Sequence, residues 1–231
     1  MDRKTKPPRR SSPKRKRRTE EPDDNAREPT QERSRLRFDA ILRATDQLLQ
    51  QSNIENISMY DIAAKASMPA ASVHYLFPTV DSIYVKLAER YMQLFAAASA
   101  QHRTERKAQT WQDNIRTGLE RACKQYNDNR GALELLLGPR LGRVVELQDI
   151  RNNDIIAESV LERLSLNYEL PRLPRLRLRR ILSFGLTITD AFWSRSYMEH
   201  GRIDAETLEE SIRAQLAYLK LYLPEHLPMA E

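Results

Sequence analysis

The stretch SMYDIAAKASMPAASVHYLFPT, residues 58–79, carries the strongest local folding signals in the chain. Ser58 followed three residues later by Asp61 is a capping-box pattern, which predicts that a helix begins just after Ser58. Pro69 stands where the first turn of a new helix accepts proline, and Pro78 ends that helix. The stretch therefore predicts two short helices joined by a tight turn.

Two short helices in this arrangement are the geometry of a helix-turn-helix motif, whose second helix enters the major groove of DNA. Small side chains at 70–72 let the backbone approach base edges, and His74 and Tyr75 are long enough to reach phosphates. The helix start at Ser58 offers free backbone N–H groups as a second phosphate anchor. The motif alone leaves open a helical hairpin that packs a core and contacts no DNA. The predicted DNA-binding residues are Arg37, Ser58, Met59, Pro69, Ala70, Ala71, Ser72, His74, Tyr75 and Thr79.

The rest of the chain after residue 30 has the composition and the apolar spacing of helices, without hairpin signals. We therefore expect an all-α fold. The predicted helices span about 31–51, 79–102, 147–167, 176–199 and 204–223, with another starting at Thr110 and two short ones with a bend between Gly131 and Gly142.

The net charge of +6 is concentrated at the N-terminus. Residues 1–18 contain ten Lys or Arg against Asp2, and residues 19–30 contain five acidic residues against Arg27. Five prolines and no aromatic residue fall within 1–30, so we expect a disordered tail, first basic and then acidic. The basic run at 14–18 fits a cationic arm on DNA, a nuclear-import signal or a solvated tail, and we favour the arm.

Composition and motifs exclude several classes of protein. Cys123 is the single cysteine, which excludes an intramolecular disulfide and any multi-cysteine zinc site. Neither a glycine-rich phosphate loop nor a hydrolase motif is present, so we expect no catalysis, no metal and no cofactor. No apolar run approaches the ~18 residues of a membrane span. We expect a cytoplasmic protein that makes no membrane contact.

Residues 37–83, RFDAILRATDQLLQQSNIENISMYDIAAKASMPAASVHYLFPTVDSI, resemble the N-terminal DNA-binding domain of TetR-family transcriptional regulators. The family pattern has an Ile-Leu-x-Ala run in helix 1, a Ser or Thr cap on helix 2, an Ile-Ala pair with a later Ala, and an aromatic cluster before helix 4. The chain departs from the pattern at Asn53 and Ser67, where Gly is usual, and at Val80, where Lys is usual. The matching positions are Ile41, Leu42, Ala44, Ser58, Ile62, Ala63, Ala66, His74, Tyr75 and Phe77.

The resemblance implies a three-helix helix-turn-helix domain at 31–78, joined by helix 4 to a larger ligand-binding and dimerisation domain at 79–231. It implies a homodimer through residues 176–199 and 204–223, a palindromic operator in double-stranded DNA, and a small-molecule effector. We therefore expect a ligand-responsive repressor of the bacterial cytoplasm, associated with the nucleoid when bound to DNA. The alternative is a helical module for protein interaction or nonspecific DNA packaging, in which the basic tail alone holds DNA.

Mixed aromatic and polar residues on the C-terminal helices are candidates for the effector pocket, with Asp190 as the polar group that orients the ligand. The predicted ligand-binding residues are Trp111, Ile115, Leu133, Leu137, Phe184, Asp190 and Trp193. Two apolar stripes are candidates for the dimer face, with ordinary intrachain core as the alternative. They are Leu176, Ile181, Leu182, Gly185, Ile188 and Thr189 on one helix and Leu208, Ile212, Leu216, Leu219 and Leu223 on the next.

Overall fold

The computed structural model describes residues 32–102 and 110–230, and the predicted tail at 1–30 lies outside them. The predicted all-α fold is confirmed, since β-structure in the described ranges is limited to an isolated bridge between Tyr168 and Met229. No helix within these ranges is long and apolar enough to cross a membrane. The helices are α1 (Glu32–Leu49), α2 (Met59–Lys65), α3 (Ala70–Leu76), α4 (Val80–Gln101), α5 (Trp111–Asn127), α6 (Arg130–Ala132), α7 (Gly142–Asn167), α8 (Arg175–His200) and α9 (Ala205–Leu219).

The first three helices pack around a small apolar core. Ile41 of α1, Ile62 of α2 and Val73 of α3 are fully buried within it. Phe77 closes the core just after α3, where its ring lies 4.6 Å from that of Phe38. These contacts fix the relative orientation of α2 and α3, which is what a helix-turn-helix requires.

The predicted helix starts are confirmed at atomic level. Ser58 Oγ accepts a hydrogen bond from the Asp61 backbone N–H (3.2 Å), and the Asp61 carboxylate accepts one from the Ser58 N–H (2.9 Å). Thr79 forms the equivalent capping box with Ser82 at the start of α4. Each cap satisfies backbone donors that would otherwise lack a partner at the helix start, which is why the sequence pattern located both helices correctly.

The turn between α2 and α3 contains a strained residue. Ser67 has φ of 54°, in the left-handed region that glycine adopts at lower cost. Its backbone N–H donates to the Ala64 carbonyl (3.1 Å) and that of Met68 to the Ala63 carbonyl (2.9 Å), so hydrogen bonding holds the turn in this conformation.

Ser67→Gly is therefore expected to increase the free energy of unfolding by about 1 kcal/mol, because the relief of strain exceeds the added entropy of the unfolded chain. Urea-induced unfolding followed by circular dichroism measures this change. Ser52→Gly, in the turn after α1 where φ is not positive, is the matched control and should give no gain. Equal effects of the two substitutions would contradict the strain at Ser67.

The C-terminal helices pack around a second core. α8 packs along both α7 and α9, and α5 lies against α9. Trp111, Leu161, Leu164 and Ile212 are among its fully buried side chains. Helix α4 contacts both α1 and α7, so a single continuous helix joins the two cores.

Three predicted helix boundaries were wrong. Residues 130–137 form one short helix, α6 followed by a π-helical turn at Leu133–Leu137, where two helices within 131–142 were expected. Helix α7 already begins at Gly142, ahead of the predicted residue 147, and Gly142 has φ of 50°. Helix α9 ends at Leu219, ahead of the predicted residue 223, because residues 220–223 form turns. Helix α8 ends at Gly201, whose φ of 68° lies in the left-handed region that favours glycine.

The residues predicted for the dimer face lie mainly inside one chain. Because α8 and α9 pack against each other, the apolar stripes on their facing sides form intrachain core, which was the alternative interpretation. Leu176 is an exception and is exposed, while Ile188, Leu208 and Leu216 are half-buried. The buried members are Ile181, Leu182, Gly185 and Thr189 on α8 and Ile212, Leu219 and Leu223 on or after α9.

Candidate nucleic-acid interface and ligand pocket

Helix α3 presents one face to the core and the opposite face to solvent. Val73 and Leu76 point into the core, while Ala71, His74 and Tyr75 are exposed. Tyr75 is 65% exposed although it is a large aromatic residue. A seven-residue helix held on one side by a packed core and carrying small and aromatic residues on the other has the shape needed to enter a major groove.

Most predicted DNA-binding residues lie at the surface. Ala70 and Ser72 are half-buried. Met59 is 6% exposed and packs in the N-terminal core, so its side chain cannot reach a nucleic acid. The helical period explains this correction, because Met59 lies one turn from Ile62 and Ala63 on the inner face of α2. The exposed members are Arg37, Ser58, Pro69, Ala71, His74, Tyr75 and Thr79.

The sequence interpretation missed two surface residues of α2. Tyr60 is 73% exposed, and Lys65 is exposed at the last turn beside the connection to α3. Tyr60 lies opposite the buried Ile62, so the helical period of α2 could have located it, while Lys65 lies at the last turn of α2, where the helix meets the connection to α3. An exposed tyrosine and lysine supply a stacking or hydrogen-bonding group and a phosphate-binding charge.

The larger domain encloses a cavity of about 390 Å³ between α4, α5, α7, α8 and α9. Of the predicted ligand-binding residues, Ile115, Asp190 and Trp193 line it. Three aromatic rings lie in contact along one wall. The centroid of the Tyr126 ring is 4.7 Å from that of Phe95 and 5.5 Å from that of Trp193. The volume falls at the low end of the roughly 300–1,000 Å³ of small-molecule sites.

The other four predicted ligand-binding residues lie away from the cavity. The Trp111 indole N–H donates to the Pro224 carbonyl (2.9 Å), so this side chain links α5 to the segment after α9. Leu133 and Leu137 are buried in the second core. Phe184 is 48% exposed on the outer side of α8, with the Arg180 guanidinium 5.4 Å from its ring centroid. Whether these four side chains reach the cavity depends on which helix faces pack together, and tertiary packing decides this.

Polar residues of the lining were missed by the sequence interpretation, apart from Asp190. Asn153 donates from Nδ2 to Asp190 Oδ2 (2.7 Å) and thereby links α7 to α8. Thr189 donates to Gln215 Oε1 (2.9 Å) and links α8 to α9. Arg163 Nε donates to Asn114 Oδ1 (2.6 Å). These pairs rigidify the cavity because each joins two of the helices that surround it.

Two carboxyl groups lie in a poorly solvated environment, Asp190 in the cavity lining and Asp149 near it. Burial raises the pKa of Asp190 well above its usual range, and the nearby Asp149 raises the pKa of Asp190 further, while the Asn153 hydrogen bond opposes this change. Burial also raises the pKa of Asp149. The pKa of Tyr126 is raised by burial and then by Asp190 and Asp149. Tyr126 and Asp190 line the cavity, and Asp149 is near enough to raise the pKa of both.

Hydrogen bonds join the last turn of α1 and the residues after it to α4 and to the residues that follow α5. The Tyr91 hydroxyl on α4 donates to Asp46 Oδ1 (2.6 Å). Gln50 Nε2 donates to Asn129 Oδ1 (3.1 Å), and Arg130 Nη2 donates to Asn53 Oδ1 (2.8 Å). We call these three hydrogen bonds the α1 contacts. Asn129 and Arg130 directly follow the last turn of α5, whose Tyr126 and Asp128 line the cavity.

A close backbone approach accompanies the α1 contacts. A Cβ placed at Gly131 would overlap the Tyr91 hydroxyl oxygen, so a larger residue there would displace this side chain. Farther along α4, Arg140 donates from Nε and Nη2 to Asp81 Oδ1 (both 3.1 Å), and Gln148 donates to Glu89 Oε1 (2.6 Å). The larger domain thus contacts both α1 and α4.

Comparisons with known proteins identify the fold. No protein-family model matches the sequence, and no curated protein is similar to it. Among solved structures, 71 chains match. A putative TetR-family transcriptional regulator from Mesorhizobium loti MAFF303099 has a TM-score of 0.62 and 15% identity, over 84% of this chain and 100% of that chain.

Two further structures are similar over most of their length. A TetR transcriptional regulator from Rhodococcus sp. RHA1 has a TM-score of 0.60 and 14% identity, over 81% of this chain and 98% of that chain. FadR of Thermus thermophilus, a TetR-family transcriptional repressor solved in complex with lauroyl-CoA, has a TM-score of 0.56 and 14% identity. The match covers 78% of this chain and 93% of that chain. The chain therefore has the fold of TetR-family transcriptional regulators, as the resemblance at residues 37–83 predicted.

Proposed function

We propose that this protein is a ligand-responsive, DNA-binding transcriptional regulator that represses from a palindromic operator as a homodimer and is released by a small molecule. The observation that carries this proposal is the connection of an exposed α3 to an internal cavity through one continuous helix, α4. The fold it shares with TetR-family regulators supports the same function. We expect no enzymatic activity and a cytoplasmic location.

DNA binding uses the exposed face of α3. Ala71 and Ser72 approach base edges, while His74 and Tyr75 contact the phosphate backbone together with Ser58 and Thr79 at the starts of α2 and α4. Tyr60 and Lys65 extend this surface along α2. The basic run at 14–18 adds sequence-independent phosphate contacts, which increases affinity and its salt dependence without selecting a site.

Dimerisation uses the outer sides of α8 and α9, because their facing sides form the intrachain core. Exposed apolar residues follow α8 on that outer side, among them Phe184 (48% exposed), Phe192 (36%) and Met198 (62%). Pairing α8 and α9 with those of a second copy would bury these residues in a four-helix bundle. Two α3 helices related by this symmetry read half-sites about 34 Å apart.

Release follows from a population shift between two dimer geometries. A ligand in the cavity contacts α4 at Phe95 and the last turn of α5 at Tyr126, and both elements lead directly to the DNA-binding domain. The ligand binds more tightly to the dimer geometry in which the two α3 helices no longer match successive major grooves. At saturation it lowers the affinity for the operator by up to the ratio of its own affinities for the two dimer geometries. The lauroyl-CoA complex of the similar FadR repressor supports a small-molecule effector of some kind.

The second candidate function is nonspecific DNA packaging by the basic tail, in which α2 and α3 are only structural. Selection of bound sequences from a random DNA pool separates the two, using the full-length protein and a variant lacking residues 1–30. We expect both proteins to enrich the same palindrome at near-physiological salt. Binding by the full-length protein without any enrichment, together with loss of binding in the truncated one, would establish the packaging function instead.

A further inference from the structure

We propose that Arg140, a residue of the larger domain, belongs to the DNA-binding surface and contacts a phosphate group beside the start of α4. This inference rests on the proposed function, because it adds a contact to the same protein–DNA complex. It follows from the charge of the helix-turn-helix, from the contacts of the Arg140 guanidinium and from the position at which α7 begins.

The helix-turn-helix itself is poor in cations. Residues 58–83, which contain α2, α3 and the first turn of α4, hold a single lysine, Lys65, and no arginine, against two acidic residues, Asp61 and Asp81. With neutral histidine the net charge of this stretch is therefore −1, whereas affinity for the phosphate backbone of DNA comes from Lys and Arg. Cations for the phosphates next to α3 and α4 therefore come from other parts of the chain.

Arg140 places a cation at the acidic start of α4. Its Nε and Nη2 both donate to Asp81 Oδ1 (3.1 Å), and its guanidinium carbon lies 5.3 Å from the centroid of the Tyr84 ring. Tyr84 is fully buried, and its hydroxyl donates to the Ile54 carbonyl (3.1 Å), so the ring is a fixed support for the guanidinium. Arg140 is thus held against the first turn of α4.

The guanidinium retains donors for a further acceptor. Arginine has five N–H groups, and the bonds to Asp81 use one on Nε and one on Nη2. The side chains of Arg140 and Asp81 are 33% and 62% exposed, so both are accessible from solvent. Nη1 and the second N–H of Nη2 can therefore donate to a phosphate oxygen while Asp81 keeps the guanidinium in place.

The direction of α7 brings Arg140 to the end of the larger domain that lies beside the DNA-binding helices. Arg140 lies two residues ahead of α7 and bonds to Asp81 in the first turn of α4. Eight residues farther along on each side, Gln148 of α7 bonds to Glu89 of α4. The two helices therefore run parallel, with their starts at the same level. Because only residues 77–79 separate α3 from α4, Arg140 lies next to the surface that α3 and the start of α4 form.

The salt dependence of DNA binding tests this contact in the full-length protein. The affinity of the unmodified protein and of Arg140→Gln for the selected operator is measured between about 50 and 200 mM salt. Each phosphate contact contributes about −0.9 to the slope of log K against log salt concentration, so the slope of Arg140→Gln should be shallower by about 0.9 for each subunit on DNA, or about 1.8 for a homodimer. Its affinity at near-physiological salt should fall on the order of tenfold.

The same measurement on an unrelated duplex distinguishes a phosphate contact from a structural role. Phosphate contacts carry no sequence information, so Arg140→Gln should weaken binding to the operator and to the unrelated duplex by the same factor, within about twofold. Arg213→Gln removes an exposed arginine that pairs with Glu210 on α9, and this matched control should keep the full slope. An unchanged slope in Arg140→Gln would overturn the proposal. A loss confined to the operator would also overturn it, because Arg140 would then only orient α3.

Asp81→Asn separates a phosphate contact from mere neutralisation of Asp81. If Arg140 binds a phosphate, Arg140→Gln should reduce the slope by the same amount in the Asp81→Asn background. No further reduction in that background would show that Arg140 acts only through Asp81, which refutes the contact. Arg140→Met, whose unbranched side chain also covers the Tyr84 ring, should give the same slope as Arg140→Gln, so the result does not depend on the folding of one variant.

Failure of this contact and failure of the proposed function give different results. A selected palindrome with an unchanged slope in Arg140→Gln would remove the contact and leave the regulatory function. A shallower slope on every duplex without any selected palindrome would do the reverse.

Discussion

Ala71→Glu is expected to lower the affinity of the full-length protein for its selected operator by more than about 100-fold. Ala71 lies on the exposed face of α3, where a small side chain lets the helix approach base edges. Glutamate adds bulk in the groove and a negative charge close to the phosphates. Losing the contacts to one base pair costs about 1–3 kcal/mol of binding free energy. Charge repulsion from the phosphates and the greater distance between α3 and the DNA weaken binding further.

Folding should be unaffected by this substitution, which makes the loss interpretable. Ala71 packs against no core residue, and an acidic residue in the first turn of a helix interacts favourably with the helix dipole. Fluorescence anisotropy with labelled operator measures affinity, and thermal unfolding confirms that the variant is intact. Ala97→Glu, at an exposed position on α4, is the matched control and should bind like the unmodified protein.

The two candidate functions differ in what this experiment shows. If α3 reads DNA, only Ala71→Glu loses binding to the operator. If the basic tail alone holds DNA, both glutamate variants bind alike, because each changes the charge by the same amount at an exposed site. Equal affinity of the two variants would therefore argue against α3 as the DNA-reading element.

Local signals in the sequence located the helix-turn-helix because its ends are set by nearby residues. Ser58 and Asp61 close their capping box within one turn, and Gly201 ends α8 through its own backbone conformation. Such features require no knowledge of distant parts of the chain. This is why the fold class and the starts of α2 and α4 could be predicted from the sequence.

The cavity could be predicted only in part, because five helices must be assembled before it exists. Asp190 was recognisable as an acidic residue in an apolar helix. Asn152 and Asn153 on α7 were not, since in sequence they look like ordinary surface positions. Phe184 shows the opposite error. It was predicted to line the pocket because it is aromatic, but its side chain lies on the outer side of α8 and is exposed. Periodicity tells which residues share a face, but the partner of that face is decided by tertiary packing.

The second large effect is expected from a variant that removes two of the three α1 contacts, Tyr91→Phe combined with Arg130→Ala. It eliminates the hydroxyl that donates to Asp46 and the guanidinium that donates to Asn53. Asp46 keeps its hydrogen bond from Gln50, so no buried acceptor is left without a partner. Neither changed residue lines the cavity.

We expect this double variant to bind an effector normally while losing its release from DNA, the effector being a small molecule selected because it releases the unmodified protein from its operator. The saturating effector should weaken operator binding by about tenfold or more in the unmodified protein, within the roughly 5–150-fold that is typical of allosteric coupling. In the double variant the ratio should fall to about twofold, because α1 then keeps only the Gln50–Asn129 hydrogen bond to the residues that follow α5. Arg213→Ala, which removes an exposed ion pair with Glu210 on α9, should retain the full ratio.

A reciprocal measurement tests the same coupling without reference to DNA affinity. Linkage requires operator DNA to weaken effector binding by the same factor by which the effector weakens operator binding. This reciprocal factor should also vanish in the double variant. If both factors persist, the α1 contacts do not carry the signal, and the remaining route runs through α4, which the larger domain holds through the bonds from Arg140 to Asp81 and from Gln148 to Glu89. The two routes are thus separable, because one of them depends on the end of α1 and the other on α4 alone.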